Sequence, residues 1–119
     1  MNSKEIMEKV VKCMDSKKAS DIRVLDISTV TTMADYFVIC QGNSSTQMKA
    51  ISDEIQEKLS EEGVNPIGRE GMNTSYWILL DYSDVIVHVF SNESRSFYSI
   101  EDLWADATKV DISSLITEE

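Results

Sequence analysis

The 119-residue sequence predicts a single α/β domain, a mixed β-sheet flanked by helices. Three observations lead there. Stretches with helical spacing of apolar residues alternate with short runs rich in β-branched and aromatic residues. A long capped helix separates two groups of strands, which makes the strands on either side of it parallel if they share a sheet. A hydrophobic fraction of 42% in a chain of this length suits one buried core rather than two.

The elements follow in order. Met7, Val10, Val11 and Met14 recur at helical spacing, so residues 4–17 read as an amphipathic helix. "DIRVLDI" (21–27) reads as a strand with Ile22, Val24 and Asp26 on one side and Arg23, Leu25 and Ile27 on the other. "YFVIC" (36–40) reads as a second, more buried strand. Ser44 followed by Gln47 forms a capping-box pattern. Met48, Ile51, Ile55 and Leu59 then make one apolar stripe, and Gly63 supplies the left-handed stop. "VNPIGREGMNTS" (64–75) holds the only Pro and two of the four Gly, and is expected to be a loop.

The stretch "YWILLDYSDVIVHVF" (76–90) is expected to be an antiparallel hairpin turning at "DYSD". A short turn there sets Leu80 opposite Val85, Leu79 opposite Ile86, Ile78 opposite Val87 and Trp77 opposite His88. Alternation puts Ile78, Leu80, Val85, Val87 and Val89 on one face. Trp77, Leu79, Ile86, His88 and Phe90 take the other, with Asp81 and Asp84 at the turn end. Both faces are apolar, so the hairpin is either sandwiched between helices or presents one face to a partner. "SNESRSFYSIEDLWADA" (91–107) is expected to end in a short helix capped by Ser99. Residues 1–107 then form the domain and 108–119 a tail, packed loosely or extended.

Charge narrows the function classes. The net charge of −10 divides as +2 over residues 1–20, −4 over 21–69 and −8 over 70–119. An acidic C-terminal half is repelled by DNA or RNA and attracted by a basic protein; acidity that merely confers solubility is the plainer alternative. No apolar run is long enough to span a bilayer. "MNSKEIMEKVVKCMDSKK" resembles neither a signal nor a transit peptide. Cys13 and Cys40 stand far apart and form no metal or redox motif, so they read as small core residues in a reducing, cytoplasmic setting.

Candidate chemistry is thin. His88, the only histidine, would need Cys40 or a serine as nucleophile, and the sequence offers no nucleophile elbow. Asp81 and Asp84 are expected as turn formers rather than metal ligands. "GNSS" (42–45) opens a helix whose amides suit a phosphate, but no P-loop lysine accompanies it. No catalytic residue, metal or cofactor is expected.

Three separated blocks carry a resemblance: "DYFVICQGNSSTQ" (35–47), "REGMNTSYWILLDYSDVIVHVF" (69–90) and "RSFYSIEDLWADA" (95–107). In this order they closely resemble the ribosomal silencing factor family, also called iojap or RsfS. Matching positions include Asp35, Tyr36, Phe37, Gly42, Ser44 and Gln47. They continue with Glu70, Gly71, Trp77, Asp81, Asp84, Val87, His88 and Phe90, and close with Arg95, Tyr98, Leu103 and Trp104. Ser83 departs from the pattern, since members usually carry Gly there.

The resemblance implies a nucleotidyltransferase-like fold without its catalytic motif, and a repressor rather than an enzyme. Such a protein binds a basic large-subunit ribosomal protein, the fourteenth, and blocks joining of the large and small subunits. It also implies a homodimer when free, and neither DNA nor membrane binding is expected. A nucleotidyltransferase-like enzyme and a dimeric adaptor module are the alternatives. For docking on a basic protein, Trp77 is the expected anchor, helped by Leu79, Tyr82 and His88. Asp81, Asp84, Glu101 and Asp102 are expected to face its Lys and Arg. An ordinary core tryptophan and a solvated acidic surface are the plainer readings of the same residues.

Overall fold

The computed structural model describes residues 1–72, 76–92 and 107–116. Along the chain these form α1 (Ser3–Ser16), β1 (Ser20–Asp26), β2 (Tyr36–Gly42), α2 (Ser45–Glu61), β3 (Gly68–Glu70), β4 (Trp77–Asp81), β5 (Val85–Ser91) and β6 (Thr108–Lys109). The strands make one mixed sheet in the order β3-β4-β5-β2-β1-β6. β2 and β5 run parallel, as a crossover through α2 requires, and the other neighbours are antiparallel.

Local chemistry sets the helix ends. Asn2 and Glu5 form a reciprocal capping box on α1, each side chain accepting from the other's backbone N–H at 2.8 and 3.0 Å. α1 stops at Lys18, held left-handed at φ 62°, while the N–H groups of Lys18 and Ala19 donate to the carbonyls of Asp15 and Met14. α2 ends the same way at Gly63, φ 77°, where a glycine is expected. The box expected at Ser44 is only half formed. Ser44 Oγ accepts from the Gln47 N–H at 3.0 Å, but the Gln47 carboxamide accepts from the Asn43 N–H instead of the cap's. The same carboxamide donates to the carbonyls of Lys17 and Lys18, tying the end of α1 to the start of α2.

Both helices lie on one face of the sheet. Val10, Met14, Met48, Ile51 and Ile55 pack there against Val38, Val87 and Val89, all fully buried. Cys13 and Cys40 are buried in this core and form no disulfide with each other. The opposite face gathers Leu25, Ile27, Ala34, Phe37, Ile39, Ile86 and Phe90, with Trp77, Leu79 and Ala107 packed at its margin. Of the two arrangements the sequence leaves open, α1 and α2 therefore choose a single side. The helix expected after Ser99 lies outside the described residues. No helix among the described residues is long and apolar enough to cross a membrane.

Three expectations need correction. The hairpin is two residues tighter than expected: Trp77 stands opposite Phe90, Leu79 opposite His88 and Leu80 opposite Val87. Tyr82 donates its N–H to the Val85 carbonyl at 2.9 Å, which leaves only Ser83 and Asp84 at the tip, with Ser83 at φ 72°. A slip of two keeps side-chain parity, so the assignment of faces survives. The expected loop at 64–75 contains β3, which pairs with β4. The tail also joins the fold: β6 pairs with β1, the Val110 N–H donates to the Val24 carbonyl, and Ile112 is buried in the helical core.

Candidate protein-docking face

The non-helical face of β4 and β5 brings Trp77, Leu79 and His88 together, with Asp81 on the same side where β4 ends. His88 is 3% exposed. Its Nδ1 accepts a hydrogen bond from the Trp77 indole N–H at 3.2 Å. Accepting at Nδ1 requires that nitrogen to be bare, so the neutral ring carries its proton on Nε2. The Trp77 ring stacks on Phe90 at 5.2 Å between centroids, and Phe37 meets the His88 ring edge-on at 5.0 Å. Trp77 and Leu79 nonetheless remain only half-buried. They line a shallow depression of about 250 Å³ with Glu70, Gly71 and Tyr76, and Tyr76 is 50% exposed.

The remaining expected residues fall in different places. Asp81 is half-buried, and its Oδ1 accepts from the Ser83 N–H at 2.8 Å, which stiffens the turn. Asp84 is exposed, and its carbonyl accepts from the N–H groups of Asp35 and Tyr36. Tyr82 points the other way. It is 5% exposed within the helical core, where burial, followed by the nearby Cys13, pushes its phenol up to about 12. Its hydroxyl finds no hydrogen-bond partner among the described residues. Glu101 and Asp102 lie outside those residues. Tyr76, absent from the expected set, could have been suspected as an aromatic entering the hairpin beside Trp77.

Two catalytic candidates meet physical obstacles. His88 pairs across the sheet with Ile39, so Cys40 projects from the opposite face and cannot share a proton with it. The glycine of "GNSS" has a packing reason. A Cβ on Gly42 would stand 2.7 Å from Met48 Cγ and 3.3 Å from the Met48 backbone nitrogen, so β2 ends against α2 only because that atom is missing. Among the described residues, no three His, Cys, Asp or Glu side chains converge as metal ligands.

Comparison with known proteins gives a consistent picture. A family model described as "Ribosomal silencing factor during starvation" matches residues 1–119. The chain is 42% identical over 112 residues to "Ribosomal silencing factor RsfS" of Bacillus subtilis, covering 94% of this chain and 95% of that one. It is 36% identical over 117 residues to the protein so named in Halalkalibacterium halodurans, covering 98% and 100%. A crystal structure of a Chromobacterium violaceum protein superposes with a TM-score of 0.85 at 36% identity, over 88% of each chain.

Proposed function

Because the chain belongs to the ribosomal silencing factor family, we propose that it docks on the large ribosomal subunit in the cytoplasm and represses translation. In this reading it binds a basic ribosomal protein, the fourteenth, at the subunit interface. It thereby blocks association with the small subunit by steric exclusion. One observation carries the reading. The half-open aromatic face of β4 lies in a segment, residues 70–92, without a single Lys or Arg. Such a face repels phosphate and suits a basic protein.

Each residue has a physical role. Trp77 and Leu79 are the apolar anchors. His88 is a positioning residue: with Phe90 it holds the indole in one orientation, so docking loses less rotamer freedom. Asp81 and Asp84 meet cations of the partner, and Glu101 and Asp102 add further acid by sequence. Tyr82 supports the hairpin from the helical core rather than touching the partner. The role is binding, not catalysis. The free protein forms a homodimer through the same apolar face. Burial at about 25 cal/mol per Å² before association costs makes that dimer modest. Light scattering that finds a monomer at high micromolar concentration would remove the dimer.

The test mixes separated ribosomal subunits at limiting magnesium, with and without the protein, and follows joined particles by sedimentation. Joining should fall with the wild type, and less at high salt, since charge attraction is screened over ~8 Å at physiological ionic strength. Trp77→Ala should restore joining through faster dissociation, a loss of about 2 kcal/mol or more at a central aromatic anchor. Undiminished joining at saturating wild-type protein would sink the reading.

A further inference from the structure

Two loops meet at the end of the sheet where β4 turns into β5. The β1–β2 connection, residues 27–35, is pinned to that turn by its main chain: the N–H groups of Asp35 and Tyr36 donate to the Asp84 carbonyl at 2.8 and 3.1 Å. The Ile27 N–H closes the loop on the Asp35 carbonyl at 2.9 Å. Ile27 and Ala34, near the two ends of the loop, both belong to the apolar cluster on the Trp77 side of the sheet. The loop therefore leaves from that face and returns to it.

Its tip presents apolar side chains to solvent. Met33 is 58% exposed and Val30 39%. A single exposed apolar residue is ordinary, but two in one loop, whose ends Ile27 and Ala34 belong to the cluster that Trp77 and Leu79 pack against, add apolar surface at this end. Asp35 closes this loop, and Asp81 and Asp84 belong to the turn to which it is pinned. The loop and the turn, residues 26–36 and 80–86, contain no Lys or Arg. The cations that strand pairing brings nearest are Lys109, opposite Leu25, and Arg69, opposite Leu80, whose guanidinium donates to Gln56.

We propose that this loop-and-turn end is part of the docking surface and takes the surface of a basic protein. Val30 and Met33 lie against the alkyl stems of partner Lys and Arg side chains, whose charged heads reach Asp35, Asp81 and Asp84. The inference rests on the ribosome-docking reading and extends its contact from the hairpin to the β1–β2 loop. Charge selects the occupant. A second copy paired through the apolar face of the hairpin would, if it also covered this end, set the carboxylates here against one another, and RNA would set phosphates against them.

The test is co-sedimentation of the full chain with isolated large subunits over a range of concentrations, alongside thermal melts. The variants are Val30→Ser with Met33→Ser, Met33→Leu, Met33→Lys and Trp77→Ala. The double serine variant should melt with the wild type, because both side chains are exposed, and bind roughly tenfold more weakly. Met33→Leu, which keeps an apolar side chain at the tip, should bind more tightly than the double serine variant. Met33→Lys, which leaves Val30 in place, should also weaken binding and serves if the double variant melts early. Wild-type protein that stays in the supernatant overturns the ribosome reading and this inference together. Wild-type binding that Trp77→Ala loses and the double serine variant retains overturns this inference alone. So does a double serine variant that loses self-association while keeping its affinity for the subunit, since that assigns the loop to a second copy.

Discussion

Replacing Gly42 by Ala adds one carbon where β2 runs into α2. The new Cβ would lie 2.7 Å from Met48 Cγ, 3.3 Å from Met48 N and 3.4 Å from Met48 Cα. Non-bonded carbons rest about 3.5–4.0 Å apart, so the first contact is short by about 0.8 Å or more. Met48 is fully buried among the α2 core residues and cannot swing away, and the other two contacts are backbone. The first turn of α2 must therefore shift, at a cost of about 1–3 kcal/mol. For a domain of this size that lowers the melting temperature by roughly 4 °C per kcal/mol. Urea midpoints and thermal melts of the full chain measure it. Met48→Ala removes the clashing Cγ, so the double variant should lose less stability than the two single changes summed, by at least about 0.5 kcal/mol. A phosphate-cradling glycine would behave differently, leaving stability intact. If Gly42→Ala melts with the wild type, or the double variant is additive, the packing account of "GNSS" is wrong.

Three further outcomes follow from the structure. Ser83→Gly should stabilise the hairpin by about 0.5–1 kcal/mol, because Ser83 sits at φ 72° and its bond to Asp81 uses only the backbone N–H; an unchanged urea midpoint would contradict strain at the turn. Tyr82→Phe removes a buried hydroxyl that has no hydrogen-bond partner among the described residues, so it should be neutral or stabilising by about 1 kcal/mol and leave partner affinity unchanged; a clear destabilisation in the same assay counts against that placement. Alkaline pH should destabilise the fold. Burial first, then Glu54, pushes the Cys13 thiol up from 9.0 to about 11. The unfolded chain therefore gives up this proton first: stability holds below pH 9 and is lost as pH rises from there towards 11. Urea midpoints at pH 7.5–10.5 should fall less steeply for Cys13→Ala, and identical slopes would show that the thiol is not buried as described.

Much of the fold was legible because its causes are local. The stripes of α1 and α2, the stop at Gly63 and the two-sided alternation of β1 and the hairpin are properties of neighbouring residues. Less was legible where pairing depends on distant chain. β3 lies in a segment rich in Gly and Pro, and pairs because β4 presents a free edge to it. β6 joins β1 across more than eighty residues of sequence, and drags Ile112 into the core.

The candidate face divides the same way. Its membership, Trp77, Leu79, His88 and Asp81 on one side, follows from a side-chain period of two and holds under any even slip of register. Who touches whom does not follow. Trp77 faces Phe90 and reaches His88 diagonally, because Ser83 accepts a left-handed backbone and shortens the turn. Tyr82 was expected beside Trp77, but its parity turns it into the helical core. Acidity, the lack of Lys and Arg within residues 70–92 and the family belong to the sequence itself, since each depends on which residues are present and in what order. The half-open setting of Trp77, and the loop that carries Val30 and Met33 to the turn, belong to the tertiary structure. Exposure and proximity are decided only when segments far apart in the chain compete for the same surface.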